Sequence, residues 1–127
     1  MKRAYISGTG FSVPDEKLTN DDIAKLVDTN DEWIQKRTGI IERKIAPKDK
    51  VTSYYATEAS RMAIKNAGIE PNDIELIICA TSTPDMIFPA TACKIQQDLE
   101  IDHCGGFDLQ AACSGFTYGM TVGQQFI

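Results

Sequence analysis

Residues 106–120 read GFDLQAACSGFTYGM, and this stretch places a cysteine where a predicted buried strand gives way to a predicted helix. Two alanines precede Cys113, and Ser114 and Gly115 follow it, so small neighbours leave room for a sharp turn and for a reacting carbonyl group. Unpaired N–H groups at a helix N-terminus favour the reactive thiolate and can stabilise an oxyanion. The stretch predicts a nucleophilic cysteine that faces a cleft at the start of a buried helix. The alternative is a structural cysteine in a buried junction.

The segments before this junction predict an α/β protein. The run IELIICATS (residues 74–82) is apolar without alternation, which is typical of a strand covered on both faces. Residues 53–68 read SYYATEASRMAIKNAG, a helix pattern with a small, closely packing alanine face and a glycine stop, and Pro89 opens another helix with one apolar side. Helices and strands that alternate through short connections predict a mixed, largely parallel sheet covered by helices. Ligands of such sheets bind at the carboxyl ends of the strands, where Cys113 is placed.

The first third of the chain predicts one more strand and two short helices. The run RAYISGT (residues 3–9) has the composition of a first strand. Thr19 begins T-N-D-D, which resembles a capping box, and a helix should follow it. A second short helix fits residues 30–37, with Gly39 as its stop.

Composition excludes several classes of protein. The chain has 127 residues, 43% hydrophobic and 24% charged, which is typical of one globular domain with a real core. Its net charge is -5 and its charges are mixed, so nucleic acid is not an expected partner. No stretch has the length of a signal h-region or a membrane span, so we expect a cytoplasmic protein that does not enter membranes. The four cysteines form no C-x-x-C pair, so neither a metal site nor disulfides are expected.

A stripe of glycines follows the cysteine. Gly115, Gly119 and Gly123 recur every four residues along the predicted helix. Glycine costs a helix interior about 0.8–1.0 kcal/mol relative to alanine, so the stripe predicts a close approach by another element. In the chain by itself we expect the stripe and an unpaired sheet edge to expose apolar surface.

The motifs taken together resemble the N-terminal part of beta-ketoacyl-acyl-carrier-protein synthase III, a family of the thiolase superfamily that starts bacterial fatty acid synthesis. The resemblance covers nearly the whole chain and is carried by GTGFSVP, LTND, VDTNDEWIQKRTGI with ER after it, AGI, TSTPD, FPATACKIQ and FDLQAACSGFTYG. The DEWI and RTGI block together with ACSGF makes the signal specific. It implies a thiolase-like α/β fold of two similar halves, of which this chain is most of the first.

The resemblance also implies a reaction and its residues. Such enzymes transfer an acyl group, usually acetyl, from coenzyme A to a cysteine and condense it with malonyl on acyl carrier protein. Cys113 matches that nucleophile. Trp33 would stack on the adenine of coenzyme A, Arg37 would hold a phosphate of that nucleotide, and Thr29 would line the same site. Phe88 matches the residue that crosses the interface of a homodimer to shape the partner's acyl pocket. No cofactor is implied, since coenzyme A enters as a thioester substrate.

The chain departs from the family's catalytic set, which adds a histidine and an asparagine from the second half of the fold. Its one histidine, His103, precedes Cys104 in a predicted loop and matches no catalytic position. We therefore expect residues 1–127 to be an N-terminal half truncated near Ile127 and inactive by itself. The alternatives are a related condensing enzyme, of the hydroxymethylglutaryl-coenzyme A synthase or polyketide starter type, and a non-catalytic acyl-coenzyme A-binding fragment.

Overall fold

The computed structural model describes residues 3–127, and helices and strands alternate along them as expected of an α/β protein. In chain order the elements are β1 (Lys17–Thr19), α1 (Asn20–Ala24), α2 (Asp31–Thr38), β2 (Glu42–Lys44), α3 (Thr52–Ala67), β3 (Leu76–Ala80), α4 (Thr91–Asp98), β4 (Gly105–Leu109) and α5 (Gly115–Gln124). The chain divides into two units: Val13–Lys50 is one, and Val51–Ile127 with the N-terminal residues up to Ser12 is the other.

The larger unit is built on a parallel pair of strands. β3 and β4 run in the same direction, in a register that places Leu76 opposite Gly105 and Ala80 opposite Leu109. The two strands are joined through α4, which packs on them, and α3 packs on α4. This arrangement confirms the parallel strands with helical cover that the sequence predicts.

Helices cover both faces of β3, as its unbroken apolar run predicts. On one face Cys79 is buried in a cluster with Ala92 and Ile95 of α4. On the other face Ile78 and Ala80 lie against the glycines of α5. Since successive residues of a strand point to opposite faces, a strand between two helical layers must be apolar at every position.

The apolar side of α4 supplies most of the core. Ala92, Ile95 and Leu99, which share one side of the helix, are all buried, and Ile101 completes the cluster. Their spacing of three and four residues aligns them on one stripe of the helix, as the sequence predicts.

The predicted strand at residues 3–9 is wrong, because these residues form neither helix nor strand in the structure. Residues 8–10 run instead along the small face of α3, where Cβ atoms on Gly8 and Gly10 would overlap the backbone of that helix. The Asn66 side chain also donates to the Thr9 carbonyl at 2.8 Å. A strand needs a neighbouring strand for its N–H and C=O groups, and none of the described strands pairs with this segment.

The expectations of an exposed glycine stripe and of a buried α5 are also wrong. A Cβ on Gly115 would meet Ala80 at 3.4 Å, and one on Gly123 would meet Ile78 at 3.6 Å, so the stripe is the face that packs on β3. Gly115 is the one buried residue of α5 within residues 3–127. The exposed apolar side carries Phe116, which is 73% exposed. Small residues face the strand because only they allow the helix to approach it closely.

The smaller unit pairs β1 with β2 in antiparallel orientation and carries the two short helices between them. Thr19 and Asp22 form the predicted capping box of α1. Asn30 caps α2 by accepting the N–H of Trp33 at 2.8 Å, and Gly39 ends that helix at a φ of 73°, in the left-handed region that favours glycine.

One buried asparagine ties the smaller unit together. The Asn20 amide donates to Asp31 Oδ1 at 2.8 Å and to the Ile40 carbonyl at 2.7 Å, and its oxygen accepts from Arg43 at 2.9 Å. These contacts join the start of α1 to α2, to the loop after it and to β2. Hydrogen bonds from Gln35 and from Asn20 lower the pKa of Asp31, so this carboxylate stays charged in the network.

The approach of the N-terminal segment to α3 gives the first prediction. Gly10→Ala places a methyl group against the α3 backbone and should lower the free energy of unfolding of the chain by about 1–3 kcal/mol. Gly119→Ala is the matched control, because its Cβ would meet Ile78 at an ordinary 3.8 Å and alanine favours a helix. Urea unfolding followed by circular dichroism measures both, and equal midpoints for the two variants would contradict the packing.

Candidate functional site

Cys113 lies at the junction of β4 and α5. It is the middle residue of a short 3-10 turn, Ala112–Ser114, that joins the strand to the helix. The preceding residue, Ala112, has a φ of 43°, which costs a residue with a side chain on the order of 1–3 kcal/mol. Cys113 is exposed, as a reactive thiol requires and a structural cysteine does not. A strained turn that presents an exposed thiol is the local geometry of an accessible nucleophile.

Two backbone groups at this turn are already engaged. The Ser114 N–H donates to the Ala111 carbonyl at 2.9 Å, and the Gly115 N–H donates to the Ala112 carbonyl. These two groups are therefore not free to stabilise an oxyanion, contrary to the expectation for the backbone after the cysteine. The turn presents the nucleophile, and stabilisation of an oxyanion needs other donors.

A cleft in the larger unit does not contain the cysteine. A cleft of about 960 Å³ lies between residues 4–6, β3 and α5, and Gly119 and Phe116 are among its lining residues. Cys113 is not one of them, so the expected cleft at the sulfur is not this one.

The other cysteines have different surroundings. Burial, together with the charges of Asp108 and Asp85, raises the pKa of Cys79 to about 11, so its thiol stays protonated near neutral pH. Burial also raises the pKa of Cys104. Cys93 is exposed on α4. Exposure and position together single out Cys113, because Cys93 lies within a helix and not at the end of a strand.

Trp33, Arg37 and Thr29 come together in the smaller unit. The Arg37 guanidinium carbon lies 5.6 Å from the centre of the Trp33 ring, a distance at which cation and ring attract. Trp33 is 55% exposed, and together with Thr29 and Arg43 it lines a cleft of about 510 Å³. The Thr29 hydroxyl is buried and has no hydrogen-bond partner within residues 3–127. An exposed ring with a cation beside it is the surface that the four-residue spacing predicts.

Phe88 lies in the loop between β3 and α4, just before the cis peptide bond to Pro89. Its side chain is 86% exposed, and the neighbouring Ile87 is fully exposed. An isolated phenylalanine in a sequence would suggest a core position, but Phe88 does not lie in the core. The loop presents an apolar tip to the outside of the unit.

His103 is exposed in the loop before Cys104. Among residues 3–127 no three histidine, cysteine or carboxylate side chains are grouped closely enough to hold a metal ion. Within the same residues no helix has the length and hydropathy needed to cross a membrane.

The candidate residues fall into two groups. Thr29, Trp33 and Arg37 belong to the smaller unit, while Cys113 and Phe88 belong to the larger one. The local pattern indicates Cys113, whereas the roles of the other four residues are predictions that come from the resemblance to the family. Arg43 also lines the cleft of the smaller unit, and its side chain donates to Asn20. No local pattern indicates this position, because the two residues are far apart in the chain.

Known proteins resemble this chain closely, although no family model matches it. The beta-ketoacyl-[acyl-carrier-protein] synthase III of Natranaerobius thermophilus is 50% identical over 127 residues, which are 100% of this chain and 39% of that protein. The enzyme of the same name from Caldanaerobacter subterraneus subsp. tengcongensis is 51% identical over 124 residues, or 98% of this chain and 38% of the relative. The chain thus spans about two fifths of the length of these curated relatives.

Solved structures agree with the sequence comparison. The 3-oxoacyl-[acyl-carrier-protein] synthase III from Aquifex aeolicus VF5 has a TM-score of 0.91 at 47% identity, over 95% of this chain and 39% of that one. The priming beta-ketosynthase of the R1128 polyketide pathway has a TM-score of 0.90 at 34% identity, over 94% of this chain and 36% of that one. The fold is accordingly α/β and thiolase-like.

The contrast among the thiols gives the second prediction. Iodoacetamide near neutral pH should label Cys113 and Cys93, because both are exposed, and should leave Cys79 unmodified, because its raised pKa keeps it a buried neutral thiol. Peptide mapping by mass spectrometry measures each site, and labelling in denaturant is the control in which Cys79 must react. Labelling of Cys79 ahead of Cys113 in the folded chain would contradict the structure.

Proposed function

Because the chain belongs to the beta-ketoacyl-acyl-carrier-protein synthase III family, we propose that the whole protein is an acyltransferase that initiates fatty acid synthesis. Its acyl donor is acetyl-coenzyme A and its acceptor is malonyl-acyl carrier protein. The observation that carries the proposal is Cys113, an exposed thiol on a strained turn at the carboxyl end of a parallel strand. It stands within the ACSGF motif that carries the resemblance.

The first step of this reaction uses the thiolate of Cys113. Its sulfur attacks the thioester carbonyl of acetyl-coenzyme A, a carbon–sulfur bond forms, and the coenzyme A thiolate leaves and takes up a proton. The acetyl-cysteine keeps the reactivity of a thioester for the next step. The exposed position of Cys113 allows a carbonyl group to approach from outside the strand.

The second step forms the new carbon–carbon bond. Malonyl on the carrier protein loses carbon dioxide, and the electron pair left on its α-carbon attacks the acetyl carbonyl and expels the Cys113 thiolate. Donors held in place beforehand must meet the developing enolate oxygen. We assign that role to the histidine and the asparagine that the second half of the family's fold supplies. The histidine of this chain, His103, is exposed in a loop and matches no catalytic position of the family.

The smaller unit is proposed to hold the nucleotide end of coenzyme A. An adenine ring stacks on the exposed face of Trp33, and the Arg37 guanidinium beside it meets a phosphate. Thr29 lines the same cleft, and its unpartnered hydroxyl can turn toward a ligand. The volume of the cleft falls within the roughly 300–1,000 Å³ typical of small-molecule sites.

The apolar loop tip is proposed to complete the acyl pocket of a second copy of the protein. Ile87 and Phe88 are too exposed to serve the core of their own unit. In a homodimer both side chains would be covered by the partner subunit, and Phe88 would border the acyl chain bound in the partner's pocket.

We place the protein in the cytoplasm and propose that it works without a cofactor other than its thioester substrate.

A polyketide starter function is the second candidate. It is favoured by the likeness to the priming beta-ketosynthase of the R1128 pathway. A hydroxymethylglutaryl-coenzyme A synthase type and a non-catalytic acyl-coenzyme A-binding fragment complete the alternatives. A binding fragment has no need of one thiol that reacts far faster than the others, so the relative labelling rate of Cys113 separates it from the enzymes.

Nucleotide binding gives the third prediction. Trp33→Ala in the full-length protein should weaken coenzyme A binding by roughly 1–3 kcal/mol through loss of the stacking surface. Arg37→Ala should weaken it as well, whereas Lys36→Ala, which removes a neighbouring exposed cation from the same helix, should change it little. Isothermal titration calorimetry measures all three, and an affinity unchanged by Trp33→Ala would remove this residue from the site.

Acyl transfer gives the fourth prediction and tests the function directly. The full-length protein incubated with acetyl-coenzyme A should gain one acetyl group on Cys113, seen by mass spectrometry of intact protein and of peptides. Cys113→Ser should abolish the labelling, and Cys93→Ser, the control at the other exposed thiol, should not. We expect the 127-residue chain to show no condensation above background, because loss of each preorganised donor costs ~10²–10³ in rate. Acetylation elsewhere, or turnover by the 127-residue chain, would contradict the proposal.

A further inference from the structure

α4 begins without a cap of its own. The residue at its N-cap position is Ala90, which has no polar side chain, although the first helical residues, Thr91 and Ala92, are fully buried. Their N–H groups donate to the carboxylate of Asp108, at 2.7 Å to Oδ2 and 2.9 Å to Oδ1. A carboxylate that takes two N–H groups at a helix N-terminus makes charge-assisted bonds and complements the helix dipole. The cap of α4 therefore comes from another part of the chain.

Asp108 stands on the strand that leads to the nucleophile. It belongs to β4, where it is opposite Cys79 in the parallel register. From Asp108 the chain runs through the end of β4 to Cys113, and from Thr91 it runs back through Ala90 to Phe88. One carboxylate thus joins the segment that carries Cys113 to the segment that carries Phe88.

The base of the Phe88 loop is secured on its other side as well. Asp85 accepts the Ser53 N–H at 3.0 Å and so caps α3, whose own N-cap residue is Val51. The Asp85 N–H in turn donates to the Thr91 hydroxyl at 3.4 Å. The loop is held at its base while its apolar tip projects, so the position of the tip depends on where the start of α4 is fixed.

We propose that Asp108 is a positioning residue that fixes the Phe88 loop, which borders the acyl pocket of the partner subunit, relative to the Cys113 turn of its own subunit. In this way it sets which acyl chains the two sites of the homodimer accept. This inference rests on the proposed acyl transfer. A helix cap alone needs only a polar residue at position 90, next to the helix it serves. A carboxylate on β4 caps the helix and also holds it to the strand of the nucleophile, which a local cap does not do.

Three variants of the full-length protein separate positioning from capping. Asp108→Asn keeps the size of the side chain, but its amide nitrogen cannot accept the second N–H. Ala90→Ser added to Asp108→Asn gives α4 a local cap. This double variant restores the capped helix but not the link between α4 and β4. Asp73→Asn is the matched control, since Asp73 is exposed and accepts the Glu70 N–H at 2.9 Å in a turn of the same unit.

The measurements are the melting temperature, the rates of Cys113 acylation by acetyl- and hexanoyl-coenzyme A, and the rate of Cys113 alkylation by iodoacetamide. Asp108→Asn should lower the melting temperature and change the ratio of the two acylation rates by about tenfold, because small displacements at a reacting centre carry large rate costs. Ala90→Ser should recover the melting temperature and leave the ratio altered. Asp73→Asn should keep the wild-type ratio.

Each other outcome has a definite meaning. A ratio that is unchanged in folded Asp108→Asn, or that Ala90→Ser restores together with the melting temperature, would show that Asp108 only caps a helix and would overturn the inference. If the wild-type protein acylates no cysteine, the proposed function fails by itself. In that case the alkylation rate still tests whether Asp108 positions the Cys113 turn. Identical rates of Cys113 alkylation in the wild type and in Asp108→Asn would overturn the inference.

Discussion

The parallel pairing of β3 with β4 is the constraint on which the rest of the larger unit depends. It brings the carboxyl ends of the two strands together, and Cys113 stands in the turn that follows one of those ends. Because β3 is apolar on both faces, it needs a helix on each, and α4 and α5 supply that cover. A turn at residues 112–114 must therefore bring the chain from the strand to the covering helix over very few residues. The positive φ of Ala112 is the local cost of that sharp connection.

Hydrogen bonds from carboxylate and amide side chains fix segments of the chain whose relative positions apolar packing does not determine. Asp85 and Asp108 cap two helices whose own N-cap residues, Val51 and Ala90, are unable to do so. In the smaller unit the buried Asn20 amide has the same role among short elements that bury little apolar surface. Each of these bonds joins parts of the chain that are distant in sequence, so each fixes one segment against another. Directional bonds of this kind suit a site whose candidate residues stand on turns and short helices.

The helices and the buried strands could be predicted from local sequence signals, and tertiary packing does not override these signals. Gly39 and Gly68 end their helices in the left-handed conformation, and the stripe of Ala92, Ile95 and Leu99 faces the core. The strand expected at residues 3–9 failed because a strand is a property of a pair, and no described neighbour pairs with it. The prediction that the glycine stripe of α5 is exposed was wrong for a related reason. Gly119 marks a close approach, but periodicity does not say which partner approaches.

By itself the sequence determined the α/β class, the positions of most helices, the motif around Cys113 and the shared face of Trp33 and Arg37, because each depends on residues close together in the chain. The apolar run around Cys79 already predicts that this residue is buried. Only the tertiary structure decided that Asp108 and Asp85 help to raise its pKa, and that Phe88 projects from its loop. It alone also decided that Asp108 holds the start of α4. Burial and long-range hydrogen bonds depend on which distant segments meet, and that is settled when the strands pair and the helices pack on them.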